Sequence, residues 1–513
     1  MMSRREDRSS GHQACEGWSR LFPHVLDGVE ALMAKHEAVV LRRRARLVNR
    51  HWCQWATQAV KSLKVIDEST TEGRMDNIAQ RFSALEGLTL TDPDKCDLAP
   101  PLCFFSSLCL LRQLRNLTIG VRALSGGDMT FLACVTNLVS LELFKCFALT
   151  DQDLLEVTAL VGLTRLHLRD CWQVSGNGLA RLAGLPLLAD LDVSGSCITE
   201  VGLGHLAAMA SLTKVVLPQW IAFGRWLPAK MARFWAEMTN LVMLDMSHCR
   251  ITGCATSDLL PLLQPLTSLT ELHPLETISD DGLQALGSLT NLSRIGLHYC
   301  TQVTSNGFNF LKQFPKLVQL EVRQLKSISC STTSIIGGLT NLMDLTLFAF
   351  PDMGIDGISA LSGLTALTAL RLETRGSTVA ESMACLSNLT SLKKLILVGT
   401  CASSDDTSAW MALRSLTKLK FRAANITDMS MAGLGGLTGL VKLELHHCED
   451  VTDLGMQALG LLSALSVLRL EGCSRITEAG LRHLLALRFL RRVEIVGCPD
   501  LASRVEDVLK QWN

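Results

Sequence analysis

The sequence predicts an α/β solenoid, with a parallel sheet on the inside and helices on the outside, and three observations carry that prediction. From Leu440 to Cys498 the chain runs L-x-x-[LV]-x-[LI]-x-x-C three times head to tail, with Cys448, Cys473 and Cys498 spaced 25 residues apart. A fixed period of this size marks a repeat architecture. Within a copy the L-x-L core alternates as a strand does, while the following I/V-T-x-x-G-[LM]-x-x-L places apolar residues three or four apart, as on a helix face. The first leucine recurs at seventeen positions from Leu85 to Leu490, so the pattern covers residues 85–500.

This pattern resembles the leucine-rich repeat family in its cysteine-containing form, where cysteine replaces the asparagine that usually closes the strand. The resemblance implies a horseshoe of about 17 repeats.

Ahead of the repeats, residues 1–17 are charged and poor in large apolar side chains, which predicts a disordered N-terminus. Phe22, Val25, Leu26, Val29 and Leu32 then space as one helical face that Pro23 opens. Leu41, Ala45, Val48, Trp52, Trp55, Ala59 and Leu63 space as a second, with arginines off the stripe. On FPHVLDGVEALM and RLVNRHWCQWA, the segment 18–65 is similar to an F-box, the helical module that docks a protein onto a Skp-type adaptor in cullin ubiquitin ligases. That resemblance implies adaptor contacts at Phe22, Pro23, Val25, Leu26, Val29, Leu32, Leu47, Val48 and Trp52. The other reading of the same helices is a cap for the first repeat. Residues 66–84 are mostly polar and read as a linker or N-terminal cap.

Among the repeats, the copy at 212–240 carries PQWIAFGRWLPAKMARFWAEM, with Trp220, Trp226 and Trp235. Insertions in repeat arrays map to one face and often bind, which makes Trp220 and Trp226 candidates. The spacing of Leu227, Met231, Trp235 and Met238 equally allows a longer, buried helix. Residues 501–513 carry one apolar helical face, expected to be a C-terminal cap.

Composition narrows the function. Lys plus Arg equals Asp plus Glu at 49 each, so no molecule-wide field favours nucleic acid or an anionic membrane. The first residues hold no apolar run long enough for a signal or membrane helix, so a cytoplasmic or nuclear protein is expected. Cys146, Cys171, Cys197, Cys249, Cys300, Cys448, Cys473 and Cys498 each follow a repeat strand and are expected inside as reduced thiols. There is no C-x-x-C, H-E-x-x-H or G-x-x-x-x-G-K-[ST] sequence, and the glycines of Gly433–Gly439 fall in a helix-to-strand return. No cofactor, metal or catalytic residue is expected, and the chain reads as a binding protein.

What remains is the concave face, where strand residues alternate with the core leucines. There the candidates for target binding are Arg165, His167 and Arg169 beside Asp190 and Asp192, and Lys418, Lys420, Arg422, Lys442 and His446 farther on, the last group partly offset by Glu444. The second group is expected either to meet an acidic or phosphorylated segment or to be a solvated surface. Strands at ~4.8 Å over the whole array give an inner arc of roughly 75–80 Å, enough for a folded protein partner. With the F-box-like segment, this implies the substrate-recognition subunit of an SCF-type (Skp, cullin, F-box) ubiquitin ligase. A non-enzymatic cytoskeletal or axonemal scaffold and an F-box small-molecule receptor are the alternatives.

Overall fold

Leucine spacing sets the sheet. In the computed structural model the described residues are 60–66, 74–91, 103–122, 124, 126–222, 227–252, 260–324, 330–350, 355–374, 384–399, 408–423 and 426–498. The F-box-like positions up to residue 59, Trp226 and the 501–513 helix lie outside them. Two compact units divide the chain, Met1–Ala222 and Phe223–Asn513.

In the first unit, strands Ser62–Ile66, Gly87–Thr91, Asn116–Gly120, Ser140–Phe144, Arg165–Arg169, Asp190–Asp192 and Lys214–Val216 each pair in parallel with the next. In the second, the strands run Met243–Asp245, Glu271–His273, Arg294–His298, Gln319–Arg323, Asp344–Phe350 and Ala369–Thr374. They continue through Lys394–Val398, Lys418–Arg422, Lys442–His446, Val467–Glu471 and Arg492–Val496. Register is leucine on leucine: Leu443 pairs with Leu468 and Leu445 with Leu470, all fully buried. Because side chains alternate, one face of every strand is core and the other is open.

The sheet begins before Leu85. Leu63, whose spacing suggests the end of the second N-terminal helix, lies in strand Ser62–Ile66 opposite Leu88, with Val65 opposite Leu90. Two apolar residues at i and i+2 fit a half-buried strand better than a helix end. Residues 66–84 contain a helix, Arg74–Arg81.

Behind the sheet the return segments are short. Where a repeat carries T-x-x-G or S-x-x-G they are α-helices, such as Gly176–Leu182, Asp453–Leu459 and Glu478–Arg482. Elsewhere several are 3₁₀ turns, such as Gly126–Cys134 and Ala384–Asn388. The insert of repeat 212–240 forms strand Trp220–Ala222, which pairs in parallel with Cys197–Thr199, and a longer helix, Leu227–Glu237. Trp235 is buried on that helix, edge-on to Phe234 at 4.3 Å.

Cys146, Cys171, Cys249, Cys300, Cys448, Cys473 and Cys498 are buried. Cys171, Cys300 and Cys473 turn their sulfurs toward Leu143 O, Leu275 O and Leu445 O of the preceding repeat, at 3.7, 3.7 and 3.6 Å. Cys197 departs from the expectation and is exposed. In its repeat the inward position belongs to the buried Ser196, whose hydroxyl donates to Leu168 O at 3.5 Å, and Cys197 stands one residue beyond it.

Candidate functional site

The open face of each sheet is lined by the residues that alternate with the core leucines, and on both units it is a lattice of charges. In the first unit, Arg165–Arg169 lies in register with Asp190–Asp192. Neighbouring strands of opposite sign form cross-strand ion pairs. Arg165 Nε reaches Asp190 at 3.0 Å, His167 Nε2 reaches the same carboxylate at 3.3 Å, and Arg169 Nε reaches Asp192 at 2.5 Å. Arg169 also holds Glu142 at 2.9 Å. Burial would raise the Asp190 carboxyl, but hydrogen bonds from His167 and Arg165 outweigh it and hold the group below its ordinary range. Arg165, His167, Arg169 and Asp192 are therefore brought together and largely answer one another. Asp192 is buried, while Arg165 and Arg169 keep exposed flanks.

The second unit carries two such lattices. At Glu271–His273 and the strands after it, His273 leans over Gly296, where a Cβ would collide with its ring. Its Nε2 meets Glu271 at 3.2 Å, its ring centre lies 5.3 Å from that of His298, and its buried Nδ1 has no hydrogen-bond partner among the described residues. Arg323 pairs with Glu321 and stands 5.6 Å over Phe348, which Arg371 approaches at 5.4 Å. The sequence gives little sign of this group. Its signal is a lone glycine at a central open-face position, a vacancy that admits a neighbouring ring.

The other lattice is the expected cationic group. Lys418 is in register with Lys442, Lys420 with Glu444, and Arg422 with His446. Glu444 takes Lys420 at 2.9 Å, Lys442 at 2.5 Å and His446 at 3.2 Å. Burial opposes ionisation of this carboxyl, yet the two lysines bring it from the ordinary 4.5 down to about 2. His446 is buried, its other ring nitrogen 3.0 Å from Glu471. Lys418 and Arg422 are exposed, and among the described residues neither has an ion-pair partner. Trp220 has its backbone in a strand and its side chain outside the description.

Among the described residues there is no group of three His, Cys, Asp or Glu placed to hold a metal ion, and no helix is long and apolar enough to cross a membrane. No family profile and no curated protein matches the chain. Among solved structures it is similar to an internalin, InlF, from Listeria monocytogenes, at 17% identity and TM-score 0.30 over 88% of this chain and 94% of that one. It is also similar to TLR13 in complex with a single-stranded RNA, at 16% identity and TM-score 0.47 over 82% of this chain and 58% of that one. An internalin C2 of Listeria monocytogenes matches at 18% identity and TM-score 0.30, over 42% of this chain and 84% of that one. What the chain's own strands and registers establish is the fold: each unit is a leucine-rich repeat array, one parallel strand per repeat with short helices or turns behind it.

Proposed function

We propose that the chain is a protein-binding solenoid that serves as the substrate-recognition subunit of an SCF-type ubiquitin ligase. The observation that carries the binding part is the open face itself. Its charged side chains project from strands whose stability rests on the opposite, leucine-bearing face, so the core does not require them. Charged lattices of this kind set partner choice and association rate more than folding. The ligase part rests on the F-box-like spacing of Pro23, Leu26, Leu47 and Trp52. In this reading the N-terminal segment binds a Skp-type adaptor, and through it the cullin, while the sheet face binds the target. The chain contributes no catalytic residue, and ubiquitin transfer follows from proximity.

Affinity purification of the intact chain tests this. The expected result is co-purification of a Skp-type adaptor, lost on replacing Leu26 and Trp52 with serine while target capture persists. Target capture with no adaptor in the intact chain would contradict the ligase role and leave a binding scaffold. Capture of no protein at all would contradict both.

A further inference from the structure

The strand Lys394–Val398 interrupts the charged lattice of the second unit. Its open-face residues are Lys394, Ile396 and Val398, the last two half-buried and aliphatic. Register places Ile396 between Arg371 and Lys420, and Val398 between Glu373 and Arg422. Lys394, Lys418 and Lys442 are in register across three neighbouring strands, which sets their Cα atoms in a row at spacings of about 4.8 Å. The result is an aliphatic floor with cations on three sides.

The carboxylates near this floor are few. Glu444 is committed to Lys420, Lys442 and His446. Asp344 and Lys394 act on one another without closing to an ion pair, and Glu373 stands beside Val398. Among the described residues, Lys394, Lys418, Arg422 and Arg371 have no carboxylate within ion-pair distance, and the Arg371 Nε is buried with no hydrogen-bond partner. Like charges in adjacent register positions are unfavourable, so the row costs stability in the free chain that an acidic ligand would restore. Three strand spacings by one i to i+2 step make an area of ~14 by ~7 Å, the footprint of a few extended residues. A floor of Ile396 and Val398 gives a nucleobase no aromatic platform, which favours a peptide over a nucleic acid.

Resting on the protein-binding reading above, we propose that this patch receives an extended acidic segment of the partner, an apolar side chain seated on Ile396 and Val398 and flanking carboxylates answering Lys394, Lys418 and Arg422. Long-range attraction brings the segment in, and the aliphatic floor selects among acidic sequences.

The test uses the full chain and the fluorescein-labelled peptide Glu-Glu-Leu-Glu-Glu, with Lys-Lys-Leu-Lys-Lys and an all-Glu peptide as controls and a single-stranded oligonucleotide as competitor. The expected result is binding of the first peptide that weakens with salt. It should fall about tenfold in the charge reversal K418E/R422E, which also flattens the salt dependence, and should fall in Ile396→Ser. If the double variant does not melt like the parent, Ile396→Ser against the all-Glu control carries the test alone. Equal binding of the two acidic peptides, unchanged binding in the variants, no binding of the Leu-centred peptide, or preference for the oligonucleotide would overturn the proposal. A cellular partner still held by K418E/R422E would remove this patch and leave the protein-binding reading intact, whereas a chain that captures no partner removes both.

Discussion

At the scale of single residues, Glu444 shows how a row of cations is tolerated. Its carboxylate receives two lysines and an imidazole, and its acidity is the consequence. A carboxyl whose folded pKa is depressed stabilises the fold fully above its ordinary 4.5 and loses that contribution as pH falls toward about 2. Glu444→Gln should therefore melt lower than the parent at neutral pH, by about 2 kcal/mol for charge-assisted bonds, and the gap should close on acidification through that window. A gap that stays constant from pH 7 to pH 3 in thermal melts would show that the network contributes nothing through its charge. The clustering of Lys418, Lys420, Arg422 and Lys442 is legible in the sequence, because strand alternation places them on one face. Which of them remain free is not, because that depends on how one glutamate divides itself among lysines on two strands. Likewise hidden is the left-handed turn at ten of the described strand exits. Lys145, Asp170, Tyr299, Gln324, Ala423 and His447 adopt φ between 47° and 58°, where Gly195, Gly399, Gly472 and Gly497 stand in other repeats. The glycines hint at the conformation, but six L-residues accept its strain because the turn places their amides on the next repeat: His447 N donates to Glu471 O at 2.7 Å, for example.

At the scale of the repeat, the tail I/V-T-x-x-G has a physical reason that the sequence pattern alone does not show. Thr477 accepts from Ala479 N at 3.2 Å and so caps its own helix, while its amide and hydroxyl donate to Asp453 of the previous repeat at 2.7 and 2.6 Å. Thr452 makes the same pair of bonds to Asp428, Thr304 to Asp280, and Ser175 to Asp151. The glycine three residues after each capping residue is where that aspartate approaches: a Cβ at Gly480 would meet Asp453 Oδ1, and one at Gly455 would meet Asp428 Oδ1. The motif is thus a clamp between neighbours. Asp453→Ala and Thr477→Ala should each cost about 2 kcal/mol, and the double change should cost less than the sum, since both remove the bond between the Thr477 hydroxyl and the Asp453 carboxylate. Additive losses in urea unfolding would show that the two residues act separately. The strands, their period and their core leucines were readable from periodicity because one face of each strand must be apolar. The split of the return segments into α-helix and 3₁₀ turn is readable only in part: T-x-x-G or S-x-x-G marks capped helices, but Asp428–Leu434 forms a helix without that glycine.

At the scale of the whole molecule, the two faces of the sheet in each unit divide the labour. The leucine face holds the repeats together, and the opposite face, with its ion-pair lattices and the aliphatic step at Ile396 and Val398, is left for a partner. The long regular array was evident from the sequence, and so was the candidate face, but the His273 and His298 group and the place of Ile396 in the cationic row needed strand register to bring them together. Site-specific photo-crosslinking shows whether partners bind this face. A photoreactive residue is placed in the intact chain at Ile396 or Arg469 on the open face, or at Leu454 or Leu461, which are exposed behind the sheet. The co-purified partner should crosslink from Ile396 or Arg469 and not from Leu454 or Leu461. Crosslinks confined to Leu454 and Leu461 would contradict partner binding on the open face.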